Sequence, residues 1–323
     1  MFSDLKQIRR ITALLAGCFF ALAVTAEAAP KMLQWKFTPG KKSYYRVVQD
    51  SDLSVEGGQK PFKLKSSQTM DVGWEVNEVD ADGTADMTQT IVRVQLRVTG
   101  GPGGDIDYDS DAAETPKGPA GAVAVFFENI VNQPIRIKMD STGKIGDIVL
   151  PEKLSRQIKN AGFSPFGAMF SEEGVKQMIG VGLVQFSKKP VNQGDAWEVS
   201  RTVNVPPTGK QDQTATYEYL GTASRGGQTL ERIGMKVNIK LADEDADAKF
   251  EIEEQQSTGA IEFDLKAGQI VDLKLDSAIK AKFTINDMTL SQELKSGMKI
   301  KPIAPPKAAA KKSAEPDEPS NDK

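Results

Sequence analysis

From Val92 to Val98 the chain alternates without a break: Val92, Val94, Leu96 and Val98 are apolar, while Arg93, Gln95 and Arg97 are polar. A period of two sends successive side chains to opposite faces of a strand, so the apolar set lines one side and the polar set the other. That pattern marks an antiparallel sheet covered on one face only. The runs 44–49 and 71–76 share its β-branched and aromatic composition. Asp82-Gly83, Thr142-Gly143 and Gly226-Gly227 are hairpin turn signals.

The order of these elements recurs. The glycine turn and aromatic strand at 40–47 have a counterpart at 194–199, the run 68–76 at 213–220, and 92–98 at 235–241. Each series closes on a hairpin, 135–145 and 261–271, so two related halves are expected. Helices are expected between them, where Pro119 leads into 123–131, Pro151-Glu152 opens a short turn, and Ser171-Glu172-Glu173 caps a segment through Ile179. The expected fold class is a β-rich α+β protein of extended antiparallel sheets, in two similar halves, with a few short helices centrally. Residues 29–160 form the first half, 161–300 the second with the helical segment before it, and 301–323 a disordered tail of Pro, Ala, Lys and acidic residues.

Residues 1–28 have the anatomy of an export signal. Lys6, Arg9 and Arg10 precede an apolar run from Ile11 to Val24, and Ala26-Glu27-Ala28 is an A-x-A site with cleavage expected after Ala28. The run is shorter than the roughly 20 residues of a spanning helix, so no transmembrane segment is expected. Leu15-Ala16-Gly17-Cys18 also resembles a lipobox, which makes lipidation at Cys18 the alternative to simple secretion. The expected location is periplasmic or extracellular, either free or as a membrane-anchored lipoprotein.

The composition then narrows the chemistry. The chain has no histidine, and its one cysteine is Cys18, so the expected mature protein lacks the usual general base and the soft metal ligand. Disulfides are equally excluded, and burial must hold the fold. The whole chain carries a formal charge of −3, which gives no electrostatic case for nucleic acid.

Ser141-Thr142-Gly143-Lys144 has the S-x-x-K spacing of serine acyl-enzymes, but it sits in a glycine turn instead of opening a helix. Asp105, Asp107, Asp109 and Asp111 would line one face of an extended segment and are the candidates for a hard cation such as calcium; a solvated loop is the plainer reading. The acidic run 243–247 and Asp80-Ala81-Asp82-Gly83 are weaker still. Trp35, Trp74, Trp197 and Phe126-Phe127 are read as core in preference to ligand contacts. Neither a catalytic set nor a cofactor is expected.

Leu33-Gln34-Trp35-Lys36-Phe37-Thr38-Pro39-Gly40-Lys41 with Tyr44 and Tyr45, then Tyr108-Asp109-Ser110, Asp140-Ser141-Thr142-Gly143-Lys144-Ile145 and Pro190-Val191-Asn192-Gln193-Gly194-Asp195-Ala196-Trp197, resemble a family of secreted bacterial proteins known only as a domain of unknown function. That resemblance implies export and carries no activity. Two readings follow. One is a non-catalytic module binding an apolar small molecule or lipid, with Gly162, Gly167, Gly174, Gly180, Gly182, Phe163, Phe166, Met169 and Phe170 as a lid, against the plainer reading of those residues as an interdomain loop. The other is a structural or interaction component of the envelope that contacts an envelope protein.

Overall fold

The structure is a computed structural model that describes residues 29–57, 60–114, 116–160, 172–180, 183–205, 209–241, 249–285 and 288–306. The export signal, Cys18, the 243–247 run and residues 307–323 lie outside these. Twelve strands form one antiparallel sheet: β1 (Lys42–Glu56), β2 (Phe62–Val79), β3 (Ala85–Thr99), β4 (Ile106–Asp109), β5 (Ile135–Met139), β6 (Ile145–Val149), β7 (Ala196–Val205), β8 (Gly209–Arg225), β9 (Gln228–Leu241), β10 (Lys249–Asp264), β11 (Gln269–Ile285) and β12 (Met288–Pro302). Helices α1 (Pro119–Glu128), α2 (Glu152–Asn160) and α3 (Glu172–Ile179) lie in the crossover, where Pro119, Pro151 and the 171–173 cap predict them.

The strand order is β6-β5-β3-β2-β1-β12-β11-β10-β9-β8-β7, with β4 on the outer edge of β3. The sequence halves are therefore parts of one continuous sheet, sealed where β12 pairs with β1 from Tyr45↔Pro302 to Glu56↔Ser291. That pairing carries β12 through Lys301 and Pro302, two residues beyond the expected start of the tail. The Ile303 N–H then donates to the Tyr44 carbonyl at 2.9 Å.

Register defines two faces. Val47 lies opposite Met70 and Ile300, Met70 opposite Val94, and Ile300 opposite Leu273, which faces Ile261. These apolar residues make the inner face. One sequence expectation is displaced here. A bulge between Arg93↔Asp71 and Ile91↔Val72 leaves Val92 unpaired and puts Ile91 on the inner face, 1% exposed. Val92 instead lies beside Gly73 and Tyr44 on the outer face. An extra residue reverses the alternation upstream of it.

At the end holding the β5–β6 and β10–β11 turns, the sheet curls. The Trp35 N–H donates to Ser141 O at 2.8 Å, and the next N–H, of Lys36, to Gly268 O at 3.3 Å. Those turns belong to strands six positions apart, roughly 29 Å on a flat sheet. Adjacent donors reach both only because the strands wrap round them. Trp35 fills the closed end against Trp74, Phe186 and Phe263, with Phe186 and Phe263 4.7 Å apart. Gly143 is required at φ +91°, since a Cβ there would lie 2.2 Å from Val184 O and 2.5 Å from Trp35 Nε1. The helices complete the cover: Val123, Phe127, Leu154, Val175 and Ile179 are buried in the same cluster.

Candidate functional site

Beyond that cover the strands of 14 to 18 residues continue. Their inner face changes row by row. A row of serines crosses five adjacent strands in register, Ser66↔Ser51↔Ser296↔Ser277↔Ser257. Two residues further out comes Leu64↔Leu53↔Leu294↔Ile279, and then Phe62↔Val55↔Gln292↔Ala281↔Ile252, apolar but for the glutamine. Phe250, Phe283 and Leu290 follow at the rim.

These apolar side chains stand apart from the main cluster. Val55, Ala281 and Phe283 are buried yet do not belong to it, while Leu53, Phe62, Leu64, Ile252, Ile279, Leu290 and Leu294 are half-exposed. The same strands present charge on their other face: Lys65 pairs with Asp52, Lys280 with Glu254, and Lys295 with Glu293. Alternation thus separates a charged outer face from an uncharged inner one, along a length of roughly 20 Å from Gln49 to Val55. A contiguous apolar surface that is only partly covered is a candidate interaction site.

The predicted acidic row has a different fate. Ile106 and Tyr108 face inward as the buried side of β4, so Asp107 and Asp109 face outward. Asp109 receives bidentate hydrogen bonds from Arg93 at 3.1 and 2.6 Å, and Gln95 adds another at 2.9 Å. The Arg93 bonds hold its carboxyl down at about 2. Asp111 also pairs with Arg93, and Asp105 accepts the Gly100 N–H. Arginine supplies the counter-charge at Asp109 and Asp111. Among the described residues no three acidic, His or Cys side chains converge as metal ligands.

The S-x-x-K segment is a turn built on Asp140, whose Oδ1 accepts from the N–H of Thr142, the Thr142 hydroxyl and the N–H of Lys144. Trp35 is buried, and Trp74 and Trp197 pack against the core, as do Phe126 and Phe127. Of the lid residues, Gly162, Phe163, Phe166, Gly167, Met169, Phe170 and Gly182 lie outside the described residues. Gly174 and Gly180 belong to α3 and its end.

Three polar features were not legible in the sequence. Glu231, 3% exposed, accepts from the Tyr219 hydroxyl and from Lys31 Nζ at 2.9 Å; burial and then this bond push the tyrosine well above its ordinary range. Trp74 Nε1 and Gln89 Oε1 are buried without partners among the described residues, beside a cavity of about 30 Å³ under Met178 and Ile179. On the outer face a groove of about 700 Å³ opens around Gly297, flanked by Asp50, Asp276 and Arg97.

The sequence profile of a family described as Family of unknown function (DUF6263) matches residues 82–278. No curated protein matches the chain. A solved structure described as lipid–protein interactions in lipovitellin is 17% identical at a TM-score of 0.46; it covers 85% of this chain, while the chain spans 27% of it. An outer membrane channel from Pseudomonas putida F1 is 8% identical at a TM-score of 0.23, with 83% of this chain and 97% of that one covered. At such scores neither likeness carries an inference about this chain.

Proposed function

The chain belongs to DUF6263, a family without an assigned function, and we propose that it is a non-catalytic binding module that holds a lipid or similar apolar ligand on the open half of its inner face. One observation carries this reading: the row Leu64, Leu53, Leu294, Ile279 and, apart from Gln292, its outward neighbours are apolar where nothing in the main core covers them. A sheet needing only to fold would place polar residues on a face left to water, as this chain does on the opposite side. A long, concave, uncharged surface suits an elongated apolar molecule. The Asp140 turn holding Ser141 and Lys144 is bound up in its own hydrogen bonds. The leader at 1–28 supports work outside the cytoplasm. Among the described residues no helix is long and apolar enough to cross a membrane.

Native mass spectrometry of the protein purified from its own envelope tests this. A co-purifying acyl lipid is expected, lost when Leu53 and Leu294 are both changed to Asn. Protein that is empty, and that takes up no lipid from vesicles, sinks the reading and favours the envelope-scaffold alternative, for which the edge strand β7 offers ten residues of strand.

A further inference from the structure

We infer that the lipid held on this face carries an uncharged, hydroxyl-bearing head group, bound by the row of serines. The inference rests on the binding reading above and adds the class of ligand to it.

The row is unusual in what it lacks. Ser51, Ser66, Ser277 and Ser296 are half-buried and Ser257 is 6% exposed, yet none of the five hydroxyls has a hydrogen-bond partner among the described residues. None of the five oxygens is a fully buried, unpartnered atom, so each is open to solvent or to a ligand, and Ser257 faces the same side as its register partner Ser277. Each hydroxyl can donate once and accept twice. Five of them spaced one strand apart offer a band of both donors and acceptors, some 20 Å across by strand spacing of about 4.8 Å. Threonine or valine would fit a strand better than serine, so strand propensity does not account for the row.

Its neighbours set the ligand's orientation. Toward the open end lies the leucine row; toward the core, Gln49 and Gln68 extend the polar band. Acyl chains therefore lie outward against the leucines and the head lies at the serines.

Charge decides the kind of head. Alternation sends Asp50, Asp52, Lys65 and Lys295 to the other face, and the inner face of β1, β2, β11 and β12 from the glutamines outward holds no charged side chain among the described residues. A phosphate or carboxylate placed there would lose its hydration with no counter-charge to replace it. A glycerol hydroxyl and ester carbonyls, as in a diacylglycerol, lose nothing that serines cannot return.

The test equilibrates delipidated protein with phosphatidylcholine vesicles containing equimolar dioleoylglycerol, oleic acid and dioleoylphosphatidylglycerol near neutral pH. The protein is then re-isolated and its bound lipid measured by mass spectrometry. Dioleoylglycerol is expected to be enriched about tenfold over each anionic lipid, the scale of one or two hydrogen bonds. The variant Ser51→Ala/Ser277→Ala/Ser296→Ala is expected to bind as much total acyl chain while losing most of that preference. Equal loading of the three, or an anionic preference, overturns the head-group inference and leaves the binding reading standing. Uptake of no lipid at all removes both. If the triple variant does not fold, the selectivity of the unaltered protein decides alone.

Discussion

The two ends of the same strands make opposite use of one face. At the closed end, inner-face residues such as Val47, Val72, Ile91 and Leu273 meet Trp35, the helices and the 183–187 segment in a single buried cluster. At the open end, strands of the same sheet carry Leu53, Leu64, Ile279 and Leu294 at matching positions, and none of the four belongs to that cluster. Hydropathy is similar at both ends; the cover is what differs. More side chains are fully buried at the closed end, so folding free energy is expected to concentrate there.

The largest difference between the ends should appear on truncating a side chain at the closed one. Phe263 is fully buried against Trp35 and Phe186. Phe263→Ala is expected to cost about 3–5 kcal/mol, a fall of about 10 °C in Tm by calorimetry. A loss below 1 kcal/mol would break the comparison, because the closed end would then not be where stability resides.

Next in size is Glu231, which ties the strap of residues 31–37 ahead of β1 to β9 through Lys31 and accepts a hydrogen bond from Tyr219. Glu231→Gln should cost about 2 kcal/mol in urea unfolding, since it leaves Lys31 partly desolvated without its partner charge. The tyrosine adds a pH signature. Its folded value is raised, so its stabilising contribution is complete below the unfolded value of about 10 and declines as pH rises beyond that. The unaltered protein should therefore lose stability above pH 10 more steeply than Tyr219→Phe does.

Smaller again is the contribution of Asp109. Its carboxyl is held down at about 2 by Arg93, so its stabilising effect is present above the unfolded value of about 4 and is lost as pH falls toward 2. With both side chains about a third exposed, solvent screening limits it to about 1 kcal/mol. Asp109→Asn should abolish that acid-limb loss and lower the neutral-pH stability by no more than about 1 kcal/mol. A loss of several kcal/mol would mean that β4 braces the closed end as strongly as the strap does.

Local chemistry was legible in the sequence: Asp82-Gly83, Thr142-Gly143 and Gly226-Gly227 are turns joining strands, and Pro119 opens α1. Long-range pairing was not. Residues 45–56 and 291–302 show nothing of their partnership, because backbone hydrogen bonds do not depend on side-chain identity. The bulge at Val92 escaped because an unbroken alternation looks the same whether or not the partner strand keeps step. Lys63 and Lys65 disguised Leu64, and the serines, scattered over 51–296, form a row only after register is known. The acidic row drew attention because its residues are adjacent in sequence; its answer, Arg93, lies on the neighbouring strand.

The smallest expected loss of stability bears most directly on what separates the two ends. A leucine truncated in a sealed core costs about 2–5 kcal/mol, because transfer and cavity terms add. Leu294 is half-exposed, so its methyl groups are partly in water before any change is made. Leu294→Ala should then cost below 1 kcal/mol and leave no cavity, while reducing uptake of a fluorescent acyl probe several-fold. If instead the cost approaches that of Phe263→Ala, the open end is sealed in the free protein, and the contrast between the ends disappears along with the binding surface. If stability and uptake both stay unchanged, the end is open but the leucine row is not where the ligand lies.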